Sequence, residues 1–213
     1  MLKAALLLLA GPLIVRARDV LYDARHRVRT RGVVRVTELG LTDESVQYEG
    51  IVPRTLRAIV ATLGPVEDFT FVDLGSGMGR AVLVASEFPF RRIVGIEIAP
   101  QLHEIACRNV GQYRGRRRCG AIDLRRMDAA DYRPESEDTV FFFNFPFRER
   151  LMRQVVAAIE SSLVEHPRRC FLAFVNPETA HVVDESPVFT SFATTRYFRV
   201  WRAVPRPTSN DAS

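Results

Sequence analysis

Three glycines spaced two residues apart lie within residues 75–79, between a run with the composition of a buried strand and a run typical of a helix. Residues 69–74 are mostly aromatic, β-branched or aliphatic, as expected of a strand inside a parallel sheet. Residues 81–85 are all apolar and begin a predicted helix. Strand, glycine turn and helix N-terminus are the usual support for an adenosine-bearing cofactor, because glycine permits a sharp turn and leaves room for a ligand against the backbone.

The charge beside this turn indicates which cofactor it holds. Asp73 lies two residues before the first glycine, where its carboxylate would repel a pyrophosphate and attract an ammonium group. The spacing G-x-G-x-G also differs from the G-x-G-x-x-G pattern of dinucleotide-binding proteins. S-adenosylmethionine carries an ammonium group, a sulfonium and no phosphate, so these residues favour it over a nicotinamide dinucleotide. A glycine-rich turn in another kind of α/β protein is the alternative.

Residues 72–80, Val-Asp-Leu-Gly-Ser-Gly-Met-Gly-Arg, resemble the first motif of the class I S-adenosylmethionine-dependent methyltransferases. The longer run 71–109 is similar to a group of bacterial methyltransferases whose substrates are mostly unassigned. The resemblance implies a Rossmann-like α/β fold: a mostly parallel seven-stranded sheet with a terminal antiparallel hairpin, and helices on both faces. We expect this domain over residues 48–204, after a helical and basic N-terminal extension at 1–47 and before a mobile polar tail at 205–213.

The resemblance also implies cofactor-binding roles. Glu97 ends the second predicted strand, where nucleoside-binding α/β folds place an acid that bonds both ribose hydroxyls, and Ile98 beside it can pack on adenine. Asp128 follows the third predicted strand and corresponds to the acid that accepts a hydrogen bond from adenine N6, with Ala129 offering a main-chain N–H to the ring. Capping of a short turn is the alternative for Asp128. The predicted cofactor-binding residues are Tyr48, Asp73, Gly75, Ser76, Gly77, Gly79, Glu97, Ile98, Asp128 and Ala129.

Tyr48 belongs to this set through a weaker similarity. In the non-SET lysine methyltransferases and their bacterial relatives, a tyrosine and a proline before a helix help to close the cofactor pocket. Tyr48 and Pro53 are similar to that pair, although their spacing is looser. A packing or turn role for Tyr48 is the alternative.

The fourth predicted strand, residues 139–143, runs into Asn144, Phe145, Pro146 and Phe147. This motif is similar to the Asn/Asp-Pro-Pro-aromatic motif of amino-methyltransferases and to the Asn-Phe-Ala-Phe of non-SET lysine methyltransferases, and matches neither fully. We expect Asn144 to be the catalytic residue, because its carbonyl oxygen can accept an N–H and aim a nitrogen lone pair at the methyl carbon. The two phenylalanines can face cationic groups. A strand-end turn with core aromatics is the alternative.

The predicted function is therefore methyl transfer to an unidentified acceptor, which we expect to be a nitrogen on a protein side chain or a small amine. A cofactor-binding module without catalysis and an NAD(P)-dependent oxidoreductase are the rival functions. His181 and Asp184, placed near the mouth of the site by the topology, are a weaker candidate for a general-base pair.

Composition limits the partners. Lysine and arginine together number 30 against 25 acids, and Lys3 is the only lysine. Seven arginines lie between residues 16 and 35, but few aromatic residues are interleaved for base stacking, so a solvated face is favoured over nucleic-acid binding. Three cysteines without a C-x-x-C or histidine cluster argue against a disulfide framework and against a metal site, and for a reducing, cytoplasmic compartment.

The apolar run at residues 4–15 is too short to span a bilayer, and arginines stand where a signal peptide would have small cleavage-site residues. We expect a helix here that packs on the domain or on a partner. A peripheral membrane contact through residues 1–18, supported by the flanking arginines, is the alternative.

Overall fold

The computed structural model describes residues 18–34, 48–144, 147–175 and 179–204. The strands are β1 (Val33–Val34), β2 (Tyr48–Glu49), β3 (Thr70–Leu74), β4 (Arg92–Glu97), β5 (Ile122–Arg126), β6 (Thr139–Asn144), β7 (Cys170–Val175), β8 (Phe189–Thr194) and β9 (Phe198–Ala203). The helices are α1 (18–26), α2 (Pro53–Leu63), α3 (Arg80–Ala85), α4 (Pro100–Gln112), α5 (Glu149–Glu165) and α6 (His181–Asp184), with a short 3-10 helix at Ala129–Asp131.

Seven of these strands form one sheet in the order β5-β4-β3-β6-β7-β9-β8. The neighbours from β5 to β7 are parallel, and β9 lies antiparallel between β7 and β8. The predicted fold class is therefore confirmed, including the terminal antiparallel hairpin. The chain moves outward from β3 to β5 and then returns to β6 on the other side of β3. This makes the β3–β6 boundary the topological switch point, where open α/β sheets bind ligands.

The central strands are buried on both faces, which explains their nearly continuous apolar sequence. Phe71 of β3 packs in the cluster under α2 and α3, whereas Val72 and Leu74 belong to the cluster under α5. This alternation follows from the two-residue period of a strand. Pro53 at the first turn of α2 and Gly64 after its end also agree with the sequence, because these residues favour the two ends of a helix.

The N-terminal helix α1 packs against α3 through a buried charge. Arg80, only 1% exposed, donates from Nε to Oγ1 of Thr30 at 2.7 Å and from Nη1 to a carboxylate oxygen of Asp19. Its Nη2 lies 3.6 Å from Oδ1 of Asp23, which itself accepts hydrogen bonds from Thr30. The arginines at positions 25, 27, 29 and 31 are exposed, as the sequence predicted for this run, whereas Asp23 is buried and Asp19 is half-buried.

The proposed apolar N-terminal helix and the C-terminal tail lie outside the described residues, so the predicted domain boundaries stay predictions. Within the described part of the chain, no helix has both the length and the apolar character needed to cross a bilayer.

Candidate functional site

The turn after β3 uses a backbone conformation that glycine adopts at little cost. The φ angle is 84° at Gly75, 54° at Gly77 and 84° at Gly79, all in the left-handed region. At Gly79 a second constraint applies, because a Cβ there would lie 3.2 Å from the Cβ of Ala106 on α4. The glycine spacing thus serves both the path of the turn and the close approach of α4.

Main-chain hydrogen bonds fix this turn to the neighbouring strand. The N–H groups of Gly75 and Ser76 both donate to the carbonyl of Ile96 on β4, at 2.9 and 2.8 Å, and the N–H of Gly79 donates to the carbonyl of Ser76. The glycine turn therefore lies directly beside the carboxyl end of β4, where Glu97 is located.

Asp73 is a buried carboxylate at the end of β3, with 2% of its surface exposed. Burial raises the pKa of its carboxyl to about 8, and the negative charge of Glu97 contributes in the same direction. Among the described residues, no side chain or amide donates a hydrogen bond to Asp73. Buried carboxylates in proteins normally have such a partner, so this one is available to a cationic ligand.

Glu97 is also buried, but two backbone amides hold it. Oε2 accepts the N–H of Gly77 and Oε1 accepts the N–H of Ala99, each at 2.8 Å. Burial raises the pKa of the Glu97 carboxyl, and these amides partly offset the rise. Each carboxylate oxygen has a further lone pair, so the side chain can still accept two hydroxyl groups.

The residues assigned to adenine lie at the ends of β4 and β5. Ile98 is 40% exposed, which is unusual for a large apolar residue beside a buried strand and suits a platform for a flat ring. Asp128 caps the short 3-10 helix by accepting the N–H of Ala130 at Oδ1, 2.9 Å away. The capping alternative is therefore what the structure shows. The cap uses one carboxylate oxygen and leaves the other for an amine donor. Ala129, the first residue of that helix, is buried.

Asn144 ends β6 on the other side of the switch point. Its Nδ2 donates to the main-chain carbonyl of Glu49 at 2.8 Å. Glu49 lies on β2, which pairs antiparallel with β1 through Val33 and Val34. The main chain of Tyr48 belongs to the same small ladder, whereas its side chain lies outside the described residues. The β1–β2 ladder thus contacts the end of β6.

Two further expectations have structural outcomes. Phe147 is 6% exposed and packs in the core cluster on the α5 side, so it has the core role that was the alternative, while Phe145 lies outside the described residues. Asp184 accepts hydrogen bonds from both terminal nitrogens of the Arg199 guanidinium group, at 2.6 and 2.7 Å, and these bonds lower the pKa of the Asp184 carboxyl. His181 instead faces Glu149 at 3.4 Å. Asp184 is thus held by Arg199, and a general-base role for His181 and Asp184 stays a prediction.

Sequence reasoning missed one residue that supports the glycine turn. Asn109 of α4, 1% exposed, donates from Nδ2 to the carbonyls of Met78 and Arg29, at 2.8 and 2.9 Å, and accepts the N–H of Arg29 at Oδ1. It therefore joins the turn to the N-terminal segment. The available signal was its place on the apolar face of α4, in line with Leu102 and Ala106 at helical spacing.

The arrangement as a whole brings Asp73, the glycine turn, Glu97 and Asn144 to the carboxyl ends of β3, β4 and β6. These groups provide an acid for a cation, an acid for hydroxyls and a carboxamide. They fit the ammonium group and the ribose of S-adenosylmethionine. In the part of the chain that the structure describes, no group of three His, Cys, Asp or Glu side chains could hold a metal ion.

Comparisons with known proteins give a family and a fold. The family model described as histone methylation protein DOT1 matches residues 42–164. A candidate methyltransferase from Escherichia coli is similar in structure, with a TM-score of 0.53 and 14% identity over 74% of this chain and 90% of that one. A glycopeptide N-methyltransferase gives a TM-score of 0.52 and 12% identity, over 75% of this chain and 92% of that one. A candidate methylase from Haemophilus influenzae gives a TM-score of 0.51 and 16% identity, over 81% of this chain and 99% of that one. At such low sequence identity, the structural similarity shows the fold alone. A search of curated proteins gives no significant match.

Proposed function

The chain belongs to the family described as histone methylation protein DOT1, and from that premise we propose that it is an enzyme that transfers a methyl group from S-adenosylmethionine to an acceptor nitrogen. The acceptor we propose is an amine on a protein side chain or a small molecule. The cofactor supplies an electrophilic methyl group on a sulfonium, which leaves as a neutral thioether.

The observation that supports the cofactor proposal is the burial of Asp73 without a hydrogen-bond donor among the described residues. Its carboxylate is buried, and none of the described residues donates a hydrogen bond to it, at the edge of the sheet where this fold binds ligands. An uncompensated buried charge is costly, so a cationic ligand would relieve the cost as it binds. A pyrophosphate-bearing dinucleotide would add repulsion at the same point.

The proposal for the acceptor depends on the orientation of the Asn144 side chain. The hydrogen bond from Nδ2 of Asn144 to the carbonyl of Glu49 fixes which side of the amide carries the nitrogen. The carbonyl oxygen Oδ1 therefore has a defined direction and can accept one N–H of an incoming neutral amine. This contact turns the remaining lone pair of the amine toward the methyl group. Rate enhancement in such a site comes mainly from alignment.

Ligand binding tests the cofactor proposal. Isothermal titration should show binding of S-adenosylhomocysteine and none of NADH. Asp73→Asn should weaken S-adenosylhomocysteine but leave 5′-methylthioadenosine, which lacks the amino-acid group, nearly unchanged. The matched control is Asp68→Asn, because Asp68 is exposed at the opposite end of β3. Binding of NADH alone, or equal losses for both ligands, would contradict the proposal.

Methyl transfer tests the acceptor. Incubation with methyl-labelled S-adenosylmethionine and fractionated lysate should place label in protein or in small amines. Label in nucleic acid would show that the acceptor assignment is wrong. Tight cofactor binding with no labelled product in any fraction would favour the non-catalytic module.

A further inference from the structure

Helix α1 has an inverted distribution of polar and apolar residues. Its acids Asp19 and Asp23 turn inward to the guanidinium group of Arg80. Val20 and Leu21 lie on the outer side, 43% and 67% exposed. A surface helix normally buries its apolar side chains and exposes its charges. Attraction to the buried guanidinium group of Arg80 explains why the two acids face inward, but it does not explain why the outer face of the helix is apolar.

A set of exposed arginines adjoins this helix, and we name it the arginine cluster. Its members come from two separate runs of the chain: Arg25, Arg27, Arg29, Arg31, Arg114, Arg116, Arg117 and Arg118.

Three contacts hold the two runs side by side. The N–H of Arg114 donates to the carbonyl of His26 at 3.1 Å, the rings of His26 and Tyr113 stack 5.3 Å apart, and Asn109 bonds the main chain of Arg29. Across the described ranges, no acidic side chain lies within ion-pair distance of any arginine in the cluster. Within the described residues, the positive charge at this surface is therefore not compensated by acidic side chains.

We propose that the outer face of α1 and the arginine cluster bind an anionic membrane surface. Phosphate groups of anionic lipids match the guanidinium groups, and Val20 and Leu21 can enter the interfacial region. Stable peripheral attachment needs two such signals, one apolar and one basic. In the sequence, the apolar run at residues 4–15 precedes this helix.

A nucleic acid explains less of this surface. It would neutralise the arginines but leave Leu21 in water. The aromatic rings beside the cluster, Tyr22 and Tyr113, are only 9% and 8% exposed, so they cannot offer a stacking platform to bases. The membrane accounts for both the charge and the exposed apolar side chains.

Vesicle co-sedimentation of the full chain tests the proposal. Vesicles that contain phosphatidylglycerol should bind the protein, and pure phosphatidylcholine vesicles should bind it much less. The triple variant Arg116→Ser, Arg117→Ser, Arg118→Ser should bind phosphatidylglycerol vesicles at least about tenfold more weakly than the unmodified protein. Leu21→Glu should also weaken binding. The matched control, Arg54→Ser, Arg148→Ser, Arg196→Ser, removes the same charge from exposed arginines elsewhere and should bind nearly as well as the unmodified protein.

Each other result overturns the proposal. Absence of binding to phosphatidylglycerol vesicles, or equal losses in the triple variant and its control, excludes this surface as a lipid site. Binding to a DNA or RNA duplex without binding to vesicles identifies a nucleic-acid partner instead. If Leu21→Glu lowers the molar mass in light scattering and leaves vesicle binding unchanged, the outer face of α1 joins two copies of the chain instead.

Discussion

The side chain of Asn144 and the main-chain carbonyl of Glu49 are hydrogen-bonded at 2.8 Å, although 95 residues separate them in the sequence. The bond joins the end of the central strand β6 to the β1–β2 ladder. Because Glu49 contributes only its carbonyl, the contact does not depend on the side chain at position 49. It does depend on the amide nitrogen at position 144.

We expect Asn144→Ala to lower the turnover rate by about 10²-fold, because the acceptor loses the group that aligns it. Affinity for S-adenosylhomocysteine should change little, since Asp73 and Glu97 are untouched. Single-turnover kinetics and titration calorimetry measure the two quantities. Glu49→Ala is the control and should keep normal turnover, because it retains the carbonyl. An unaltered rate in Asn144→Ala would remove this residue from the mechanism.

Asp73→Asn should make stability less sensitive to pH. The folded protein raises the pKa of Asp73 to about 8, whereas an aspartate in an unfolded chain has a pKa of about 3.9. The folded state therefore holds this proton more tightly, so its free energy of unfolding falls as the pH rises between these two values. The slope for one such proton is at most about 1.4 kcal/mol per pH unit.

Urea unfolding of protein without added cofactor measures this effect. The stability of Asp73→Asn relative to the unmodified protein should increase from pH 5 to pH 8, and Asp68→Asn should show no such trend. A constant difference across this range would mean that Asp73 ionises normally in the folded state. In the unmodified protein, S-adenosylhomocysteine should bind more tightly as the pH rises from 6 to 8, because the carboxylate must be ionised to attract the ammonium group.

Glu97→Gln should lower both stability and affinity. The carboxylate accepts the N–H groups of Gly77 and Ala99 with separate oxygens, and an amide can offer only one oxygen. We expect a loss of about 1–3 kcal/mol in unfolding free energy. S-adenosylhomocysteine and 5′-methylthioadenosine should weaken together, because both carry the ribose. Glu104→Gln, on an exposed side chain, is the control. Normal binding of methylthioadenosine to Glu97→Gln would contradict the ribose assignment.

Arg80→Ala should destabilise the protein by about 3–5 kcal/mol, since it leaves Asp19 and Asp23 without their buried cation. The control is Arg91→Ala, whose side chain is 61% exposed and lies 3.6 Å from Glu137. An exposed pair of this kind contributes about 1 kcal/mol or less. Urea denaturation distinguishes the two, and similar losses would show that the α1 contact with α3 does not depend on the charge.

The central strands and the glycine turn were predictable because their signals are local, whereas the seven-stranded sheet was expected from the family resemblance. The apolar strands and the glycine turn after β3 each depend on residues within a few positions of one another, and the structure confirms them. The roles of Asp73, Glu97 and Asn144 in ligand binding stay predictions. The capping contact of Asp128 and the core position of Phe147 were alternatives that the sequence interpretation placed second, because side-chain direction depends on neighbouring elements.

The sequence by itself determined the order of the strands and helices and the chemical groups at the strand ends, since periodicity and glycine placement act over short distances. Only the tertiary structure decided which acids have partners: Asp23 is paired with Arg80, whereas Asp73 has no hydrogen-bond donor among the described residues. It also decided that α1 turns its acids inward. The physical reason is that the energy of a buried charge depends on every group packed around it, and those groups come from distant parts of the chain.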